Sequence, residues 1–247
     1  MITRFPHWLK KRFINTAEAA EVRRLIDSLH LNTVCNSACC PNRNECFSKK
    51  RATFMILGDT CTRDCKFCAV KTGSPAAIDT DEPERLAEAI KSMGMDHIVI
   101  TSVTRDDLHD GGADHFHKTA HCIKEMHPEA TLEMLTPDFS GIDESIDKVL
   151  SGPVDILSHN LETVPRLYSA VRPLADYKRS LKLLLKAKEK GLTTKSGIMV
   201  GLGEITDEVY GVMRALRGVG CDMLTIGQYL KPTKRQLDVY EFVHPEI

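Results

Sequence analysis

Cysteine is the residue type in this sequence whose placement points most directly to chemistry. Seven of the nine cysteines lie between residues 35 and 68. Such clustering indicates either metal binding or disulfide bonds. No apolar segment typical of a secretory signal follows the basic residues near the start, so a reducing compartment is expected and metal binding is favoured over disulfides. An odd number of cysteines also fits a fully paired disulfide framework poorly.

Three of these cysteines follow the spacing C-x3-C-x2-C, and we call them the loop trio: Cys61, Cys65 and Cys68. Thiolates on one tight loop are suited to an iron–sulfur cluster, because soft sulfur ligands favour such clusters. Three protein ligands leave one iron of a four-iron cluster open, and an open metal position is where a small molecule can bind and react. The alternative is a zinc knuckle, although zinc more often takes C-x2-C pairs.

A second group, the N-terminal trio, has the spacing C-x4-C-x5-C and consists of Cys35, Cys40 and Cys46. This spacing is less specific, and zinc binding or core packing are alternatives for it in isolation. Cys39 breaks the spacing of both trios and is left outside them. Cys122 and Cys221 lie among apolar neighbours in or beside predicted helices, so we expect them to be small buried hydrophobic residues.

The elements that must position these cysteines alternate in type along the chain. Six short, β-branched apolar runs predict strands at 53–57, 97–101, 131–135, 154–157, 197–200 and 223–226. Stretches with helical spacing of apolar residues lie between most of them, and the clearest are 83–93, 177–190 and 207–218. Pro83 suits the first turn of its helix, and Gly191 suits the position just beyond the end of the second.

Strands that alternate with helices predict an α/β fold with a parallel sheet. Six strands are too few for a closed eight-stranded barrel and indicate a partial (β/α)6 TIM-like barrel. Active sites in such sheets lie at the carboxyl ends of the strands, and the loop trio directly follows the first strand. We expect two regions: residues 1–50 as a helical arm with a cysteine loop, and residues 51–247 as the barrel.

A few polar and aromatic residues are further candidates by position. Asn160 and Glu162 follow the fourth strand, and Lys195 lies beside the fifth. Polar residues at the carboxyl ends of strands favour contact with a substrate or cofactor over packing, so all three are candidate binding residues at the rim of the barrel. Phe67, inside the loop trio, could contact a cofactor or anchor the loop in the core.

Composition excludes several classes of partner. Thirty-three Lys and Arg against 34 Asp and Glu give a net charge of −1, which offers no reason to expect nucleic acid as a partner. Apolar runs of four or five residues are too short for a transmembrane helix, so no membrane is expected. A cytoplasmic location is expected, and Arg4, Lys10, Lys11 and Arg12 leave an organellar transit peptide as the alternative.

The combination of the two trios resembles lipoyl synthase, a family of the radical S-adenosylmethionine (SAM) superfamily. The C-x3-C-x2-C motif after a first barrel strand is the mark of that superfamily, and the N-terminal trio is similar to the second cysteine motif of lipoyl synthases. Further strings extend the resemblance from about Pro6 to the last residue: Cys40–Asn42, Phe54–Gly58, Ile100–Val103, Arg105–Leu108, Gly111–Ala113, Leu135–Phe139, His159–Glu162, Thr194–Gly197, Met199–Glu204 and Gly227–Leu230.

The resemblance implies two 4Fe–4S clusters and SAM as cofactors. The loop-trio cluster would bind SAM and cleave it reductively to a 5′-deoxyadenosyl radical. That radical would take hydrogen from C6 and C8 of a protein-bound octanoyl chain, and the N-terminal cluster would supply two sulfurs. The implied partners are an octanoylated lipoyl-carrier domain or glycine cleavage H protein, and an electron donor such as ferredoxin or flavodoxin. Phe67 looks like the aromatic residue whose backbone meets the adenine.

One string of the family is not found in these 247 residues. Lipoyl synthases normally continue past the position of Ile247 with an Arg-Ser-Ser-Tyr string, whose first serine is the fourth ligand of the second cluster. We therefore expect that cluster to be incompletely ligated, or the sequence to be a fragment. A non-catalytic iron–sulfur homologue is one alternative. Another sulfur-inserting radical SAM enzyme, similar to biotin synthase, is a second, which the N-terminal trio disfavours.

Overall fold

A computed structural model describes residues 5–10 and 16–247 of the chain. Arg4, Lys11 and Arg12, on which the transit-peptide alternative depends, lie outside the described residues, as does the start of the N-terminal arm. Strands in the described part are β1 Thr53–Ile56, β2 Thr60–Cys61, β3 Lys71–Thr72, β4 His97–Ser102, β5 Thr131–Leu135, β6 Ile156–Ser158, β7 Thr193–Val200 and β8 Met223–Gln228.

Helices in the same part of the chain surround these strands. They are α1 Ala17–Ser28, α2 Val34–Ser37, α3 Arg43–Ser48, α4 Glu82–Met93, α5 Ala113–Met126, α6 Asp143–Leu150, α7 Tyr168–Val171, α8 Tyr177–Glu189 and α9 Thr206–Gly218. Short 3₁₀ helices lie at His7–Leu9, Phe139–Gly141 and Pro165–Leu167. No helix among the described residues is both long enough and apolar enough to cross a membrane.

Six of the strands form one parallel sheet in the order β1-β4-β5-β6-β7-β8. These are the six predicted strands, so the prediction of a partial α/β barrel is confirmed. β1 and β8 are the two edges of the described sheet, and the barrel is therefore open on one side. β2 and β3 form a separate parallel pair beyond the end of β1. Two residues each are too few for a periodic pattern, so the sequence analysis did not find them.

Local sequence signals set the ends of the main helices. The Asp176 side chain accepts a hydrogen bond from the Arg179 backbone N–H at 2.7 Å and caps the start of α8. Gly191, which follows that helix, has φ 83°, as predicted for a residue beyond a helix end. Pro83 lies in the first turn of α4, as its position in the sequence predicts.

The apolar core has two parts. The larger one packs α1, α4, α5 and α6 against β1, β4 and β5, and it contains the buried Val22 and Phe47 of the N-terminal arm. The smaller one packs α8 and α9 against β7 around Leu184, Ile198 and Val212. Since Ile98 and Ile100 of β4 lie in the larger core, the alternate residues of the strand face the concave side of the sheet.

Candidate functional site: two cysteine trios

The loop trio lies where β1 ends and the chain turns sharply. Leu57 has φ 68° and Gly58 has φ 95°, which reverse the chain before β2. A left-handed leucine is strained, and two contacts hold it in place. Its N–H donates to the buried Glu82 carboxylate at 2.8 Å, and its carbonyl accepts from Arg105 at 3.4 Å. The turn directs the cysteine loop over the carboxyl edge of the sheet.

Backbone hydrogen bonds fix the loop from several sides. The Cys61 thiol accepts hydrogen bonds from the backbone N–H groups of Arg63 at 3.4 Å and Thr104 at 3.3 Å. The Cys68 N–H donates to the Cys65 carbonyl at 3.0 Å, which folds the loop back on itself. N–H groups aimed at sulfur are the contacts that stabilise a thiolate and tune an iron–sulfur cluster.

The thiols of the loop trio are close enough to influence one another. Burial, together with the negative charges of Cys65, Cys61 and Glu162, raises the pKa of Cys68 to about 11. Burial also raises the pKa of Cys65, and the Arg172 guanidinium opposes that rise. Thiolates crowded in this way are stabilised when a metal supplies positive charge, because ligation requires the deprotonated form.

A buried ion network braces the loop from inside. Arg63, between the first two cysteines of the loop trio, is only 6% exposed. Its guanidinium holds the Asp106 carboxylate through Nε at 2.7 Å and Nη2 at 2.8 Å, and it contacts Asp138 at 2.8 Å. Asp138, which is fully buried, also binds Arg179 at 3.1 Å. The loop is thereby tied to the segments that follow β4 and β5.

The two polar candidates after β6 lie beside the loop trio. The Glu162 backbone has φ 68° and bridges to β7, donating its N–H to the Gly197 carbonyl at 2.9 Å. Burial raises the pKa of the Glu162 carboxyl, while Arg172 and a hydrogen bond from Asn160 lower it. The Glu162 charge in turn raises the pKa of Cys65 and Cys68, so this carboxyl lies near the cysteine loop.

Arg172 completes this side of the site and was missed by the sequence analysis. Its Nη1 donates to the Asn160 carbonyl at 2.8 Å and to the Tyr168 hydroxyl at 2.9 Å. Its Nε is buried and has no hydrogen-bond partner among the described residues. Arg172 lies more than a hundred positions from Cys65 in sequence, so no local pattern could have brought the two together.

A segment near the end of the chain also contacts the loop. The Gln236 side-chain amide donates to the Cys68 carbonyl at 2.9 Å, and the Leu237 N–H donates to the Lys66 carbonyl at 3.0 Å. On another side of the loop, the Lys66 N–H donates to the Val171 carbonyl at 2.8 Å. Together with the segments that follow β4 and β5, these two contacting segments make four distant parts of the chain that hold the loop trio.

The N-terminal trio lies beside the start of β1, with Cys35 on α2, Cys40 in the turn between the two helices and Cys46 on α3. Burial raises the pKa of the Cys35 thiol, and the charges of Cys40 and Cys46 raise it further, so these three side chains also form one group. Thr33 caps α2 by accepting the Asn36 N–H at 3.2 Å, and its backbone bridges to Phe54 of β1. This places Cys35 against the edge of the sheet.

The remaining cysteines differ in their surroundings. Cys39 is exposed and has φ 52°, which separates its side chain from those of its trio neighbours. Cys221 is buried as expected, but Cys122 is only half-buried on α5. All nine cysteines are free thiols in this structure, without a disulfide among them.

The donor set of each trio fits an iron–sulfur cluster better than a single metal ion. Across the described residues, no three His, Cys, Asp or Glu side chains come close enough together to hold one ion. Zinc ligands converge at about 2.3 Å from one ion, whereas each cysteine of a cluster binds a different iron. Three grouped thiols that do not converge on one point match a cluster, and in the loop trio the N–H donors at the Cys61 sulfur support this assignment.

Two further candidates occupy different positions. Phe67 is half-buried within the cysteine loop. Lys195 does not lie at the rim of the barrel, where it was expected. β7 begins at Thr193, four residues before the predicted start, so Lys195 is inside the strand. Its ammonium group binds the buried Glu133 carboxylate at 2.9 Å and 3.0 Å on the concave side of the sheet. A role for Lys195 in cofactor binding stays a prediction.

Comparisons with known proteins agree with this geometry. Residues 55–216 match the model of the radical SAM superfamily. Lipoyl synthase of Caldicellulosiruptor saccharolyticus is 53% identical over 100% of this chain and 87% of its own length. Two further relatives are also lipoyl synthases. The one from Caldanaerobacter subterraneus is 53% identical over 100% of this chain and 87% of its own length. The one from Flavobacterium johnsoniae is 52% identical over 98% of this chain and 84% of its own length.

Solved structures share the fold at low sequence identity. Methylornithine synthase superposes with a TM-score of 0.59 at 15% identity and covers 90% of this chain and 67% of its own. SuiB of Streptococcus suis superposes with a TM-score of 0.59 at 11% identity and covers 81% and 46%.

Proposed function

The chain belongs to the lipoyl synthase family of radical SAM enzymes, and from this premise we propose that each of its two cysteine trios holds one 4Fe–4S cluster. The family's reaction inserts two sulfur atoms at C6 and C8 of a protein-bound octanoyl group, with SAM and 4Fe–4S clusters as cofactors. An unactivated C–H bond offers no handle to acid–base catalysis, so the cofactors supply the radical chemistry and the protein supplies position and shelter.

The loop trio is proposed to hold the cluster that cleaves SAM. The observation that carries this assignment is the position of the loop at the carboxyl edge of the sheet, where Glu162 and Arg172 meet it. Three thiolates leave one iron without a protein ligand. When bound, the cluster supplies the electron that converts SAM into methionine and a 5′-deoxyadenosyl radical.

Residues around the loop are proposed to bind SAM. Arg172 has a buried Nε without a hydrogen-bond partner among the described residues, and its charge lowers the pKa of Cys65 in the loop, so it suits the carboxylate of the methionyl group. Asn160 and Glu162 are proposed to contact the amino and ribose groups of SAM. Phe67, within the cysteine loop, is proposed to contact the adenine. Arg63 acts through the loop by keeping its three sulfurs in place.

The N-terminal trio is proposed to hold the second cluster, which supplies the sulfurs. The substrate is an octanoyl group on a carrier protein, and the reaction requires a reductant. We propose that the carrier is a lipoyl-carrier domain or glycine cleavage H protein. We propose ferredoxin or flavodoxin as the reductant. A reducing, cytoplasmic setting suits the nine free thiols.

The test is an anaerobic assay of the reconstituted protein with an octanoyl-lysyl peptide, SAM and a chemical reductant. We expect 5′-deoxyadenosine from the 247 residues, and a lipoyl peptide when the second cluster also has its fourth ligand, for which the expected Arg-Ser-Ser-Tyr string is not among these residues. Arg172→Gln should weaken SAM binding about tenfold, measured by calorimetry, as expected for loss of a charge-assisted contact of about 1.4 kcal/mol. Unchanged SAM affinity in that variant would remove Arg172 from the binding site without affecting the cluster assignment.

A further inference from the structure

Two histidines lie one turn apart on α5, away from both cysteine trios in sequence. His117 and His121 have an i, i+4 spacing, which places their side chains on the same face of the helix. Their ring centroids are 4.6 Å apart and their planes are inclined by 57°. His117 is half-buried and His121 is exposed, so a solute can reach the pair.

A backbone contact orients the first of these rings. His117 Nδ1 lies 3.0 Å from the carbonyl oxygen of Lys148, at the end of α6. A carbonyl only accepts, so Nδ1 carries the proton, and the Nε2 of the neutral ring keeps a free lone pair. Gly152 leaves room for this arrangement, because a Cβ there would lie 3.3 Å from His117 Nδ1.

The contact between His117 Nδ1 and a backbone carbonyl is one that metal-binding histidines commonly make. A ligating imidazole donates its other N–H to a carbonyl or carboxylate, which fixes both the tautomer and the ring direction. Here the partner comes from a different helix, so the His117 ring is held before any ligand arrives. His121 adds a second imidazole at the same face. Two nitrogen donors favour first-row transition ions over Mg²⁺ and Ca²⁺, which prefer oxygen.

We propose that His117 and His121 form a binding site for a divalent transition metal ion such as Ni²⁺ or Zn²⁺, separate from both cysteine trios. Water completes the coordination, since the described residues contain no group of three side chains placed to hold an ion. The neighbouring charges do not oppose a cation, because the Lys148 ammonium is paired with Asp114 at 3.1 Å. The site is therefore open and exchangeable, unlike a structural zinc site.

Nickel binding to the reconstituted holoprotein tests this proposal. Calorimetric titration with Ni²⁺ under anaerobic conditions should give an affinity about tenfold or more higher for the wild type than for His121→Ala, because the second imidazole is supplied within one molecule. His109→Ala, which removes an exposed histidine outside the pair, should keep the wild-type affinity. All three proteins retain the nine cysteines, so nickel bound to sulfur cancels in the comparison.

A second variant and a second readout keep the proposal falsifiable. His117→Gln should lose nickel affinity to a similar degree, and Ni²⁺ should raise the melting temperature of the wild type but not of either pair variant. 5′-Deoxyadenosine formation should be the same in all the proteins, which separates this proposal from the cluster assignment. Equal nickel affinity in the wild type and His121→Ala, or a loss in His109→Ala alone, would overturn the site.

Discussion

The two cysteine trios offer the same ligand atoms but are held in different ways. The loop trio occupies eight consecutive residues, and contacts from Thr104, Val171, Gln236 and the Asp138 carboxylate converge on its loop. The N-terminal trio is spread over α2, α3 and the turn between them, and the backbone hydrogen bonds of this segment are mostly local. Long-range bracing would suit the cluster that is proposed to cleave SAM, because its ligands would stay in place. A locally folded arm would suit the cluster that is proposed to give up its sulfur.

The largest expected effect comes from breaking the braced trio. Cys65→Ala should abolish 5′-deoxyadenosine formation, because the SAM-cleaving cluster loses one of its three ligands. The N-terminal cluster should keep its iron. The measurement is chromatographic detection of 5′-deoxyadenosine together with an iron assay, with Cys39→Ala as the control, since Cys39 is exposed and outside both trios. Retained cleavage of SAM in Cys65→Ala would contradict the assignment of the loop trio.

The second variant removes a ligand from the N-terminal trio. Cys40→Ala should remove sulfur insertion while 5′-deoxyadenosine formation continues, because the N-terminal cluster supplies sulfur and not the radical. Mass spectrometry of the octanoyl peptide after reaction measures the outcome. A lipoyl product at the wild-type yield would show that the sulfurs have another source.

A smaller effect should follow from loosening the brace without touching a ligand. Arg63→Gln leaves the buried Asp138 carboxylate without its main partner, and breaking a buried ion pair costs about 3–5 kcal/mol. SAM cleavage should fall about 10- to 100-fold, the usual cost of losing an outer-shell partner of a metal site. The melting temperature and the spectrum of the reduced loop-trio cluster should change together.

The matched control for that variant is Arg85→Gln. Arg85 also binds a carboxylate through two nitrogens, but its partner Asp79 is exposed, so the loss should be within about 1 kcal/mol. Equal effects of the two substitutions on cluster spectra would mean that Arg63 stabilises the fold in general and not the loop.

The smallest effect on catalysis is expected for Lys195→Met, which lies outside both trios. Burial raises the pKa of the Glu133 carboxyl. Hydrogen bonds from Lys195, Ser158 and His97, together with the Lys195 charge, have the larger effect and hold that pKa below its usual value of 4.5. The paired carboxylate therefore stabilises the fold above pH 4.5, and this contribution is lost as the pH falls through the lowered pKa. Urea unfolding should show a cost of about 1–3 kcal/mol at pH 7 and a smaller one near pH 4. A large rise in KM for SAM would instead support the predicted cofactor role of Lys195.

The sequence predicted the parts of this site that depend on local spacing. Both trios and all six strands of the barrel were found in advance, because cysteine spacing and apolar periodicity are local properties. Arg172 and Gln236 could not be found, since their contacts with the loop trio depend on how distant segments cross. Arg63 could have been noticed as a cation between two cysteines. Lys195 lies inside β7 and not beyond its end, because the strand starts four residues before the apolar run 197–200 from which it was predicted.

The most direct test of the central claim, that the two trios hold separate clusters with separate tasks, is an iron and sulfide count on three anaerobically reconstituted proteins. We expect about eight irons per chain in the wild type and about four in each variant that has one trio replaced by alanine. The variant without the N-terminal trio should still cleave SAM, and the variant without the loop trio should not. Zinc in place of iron, or loss of both clusters whenever either trio is removed, would contradict it.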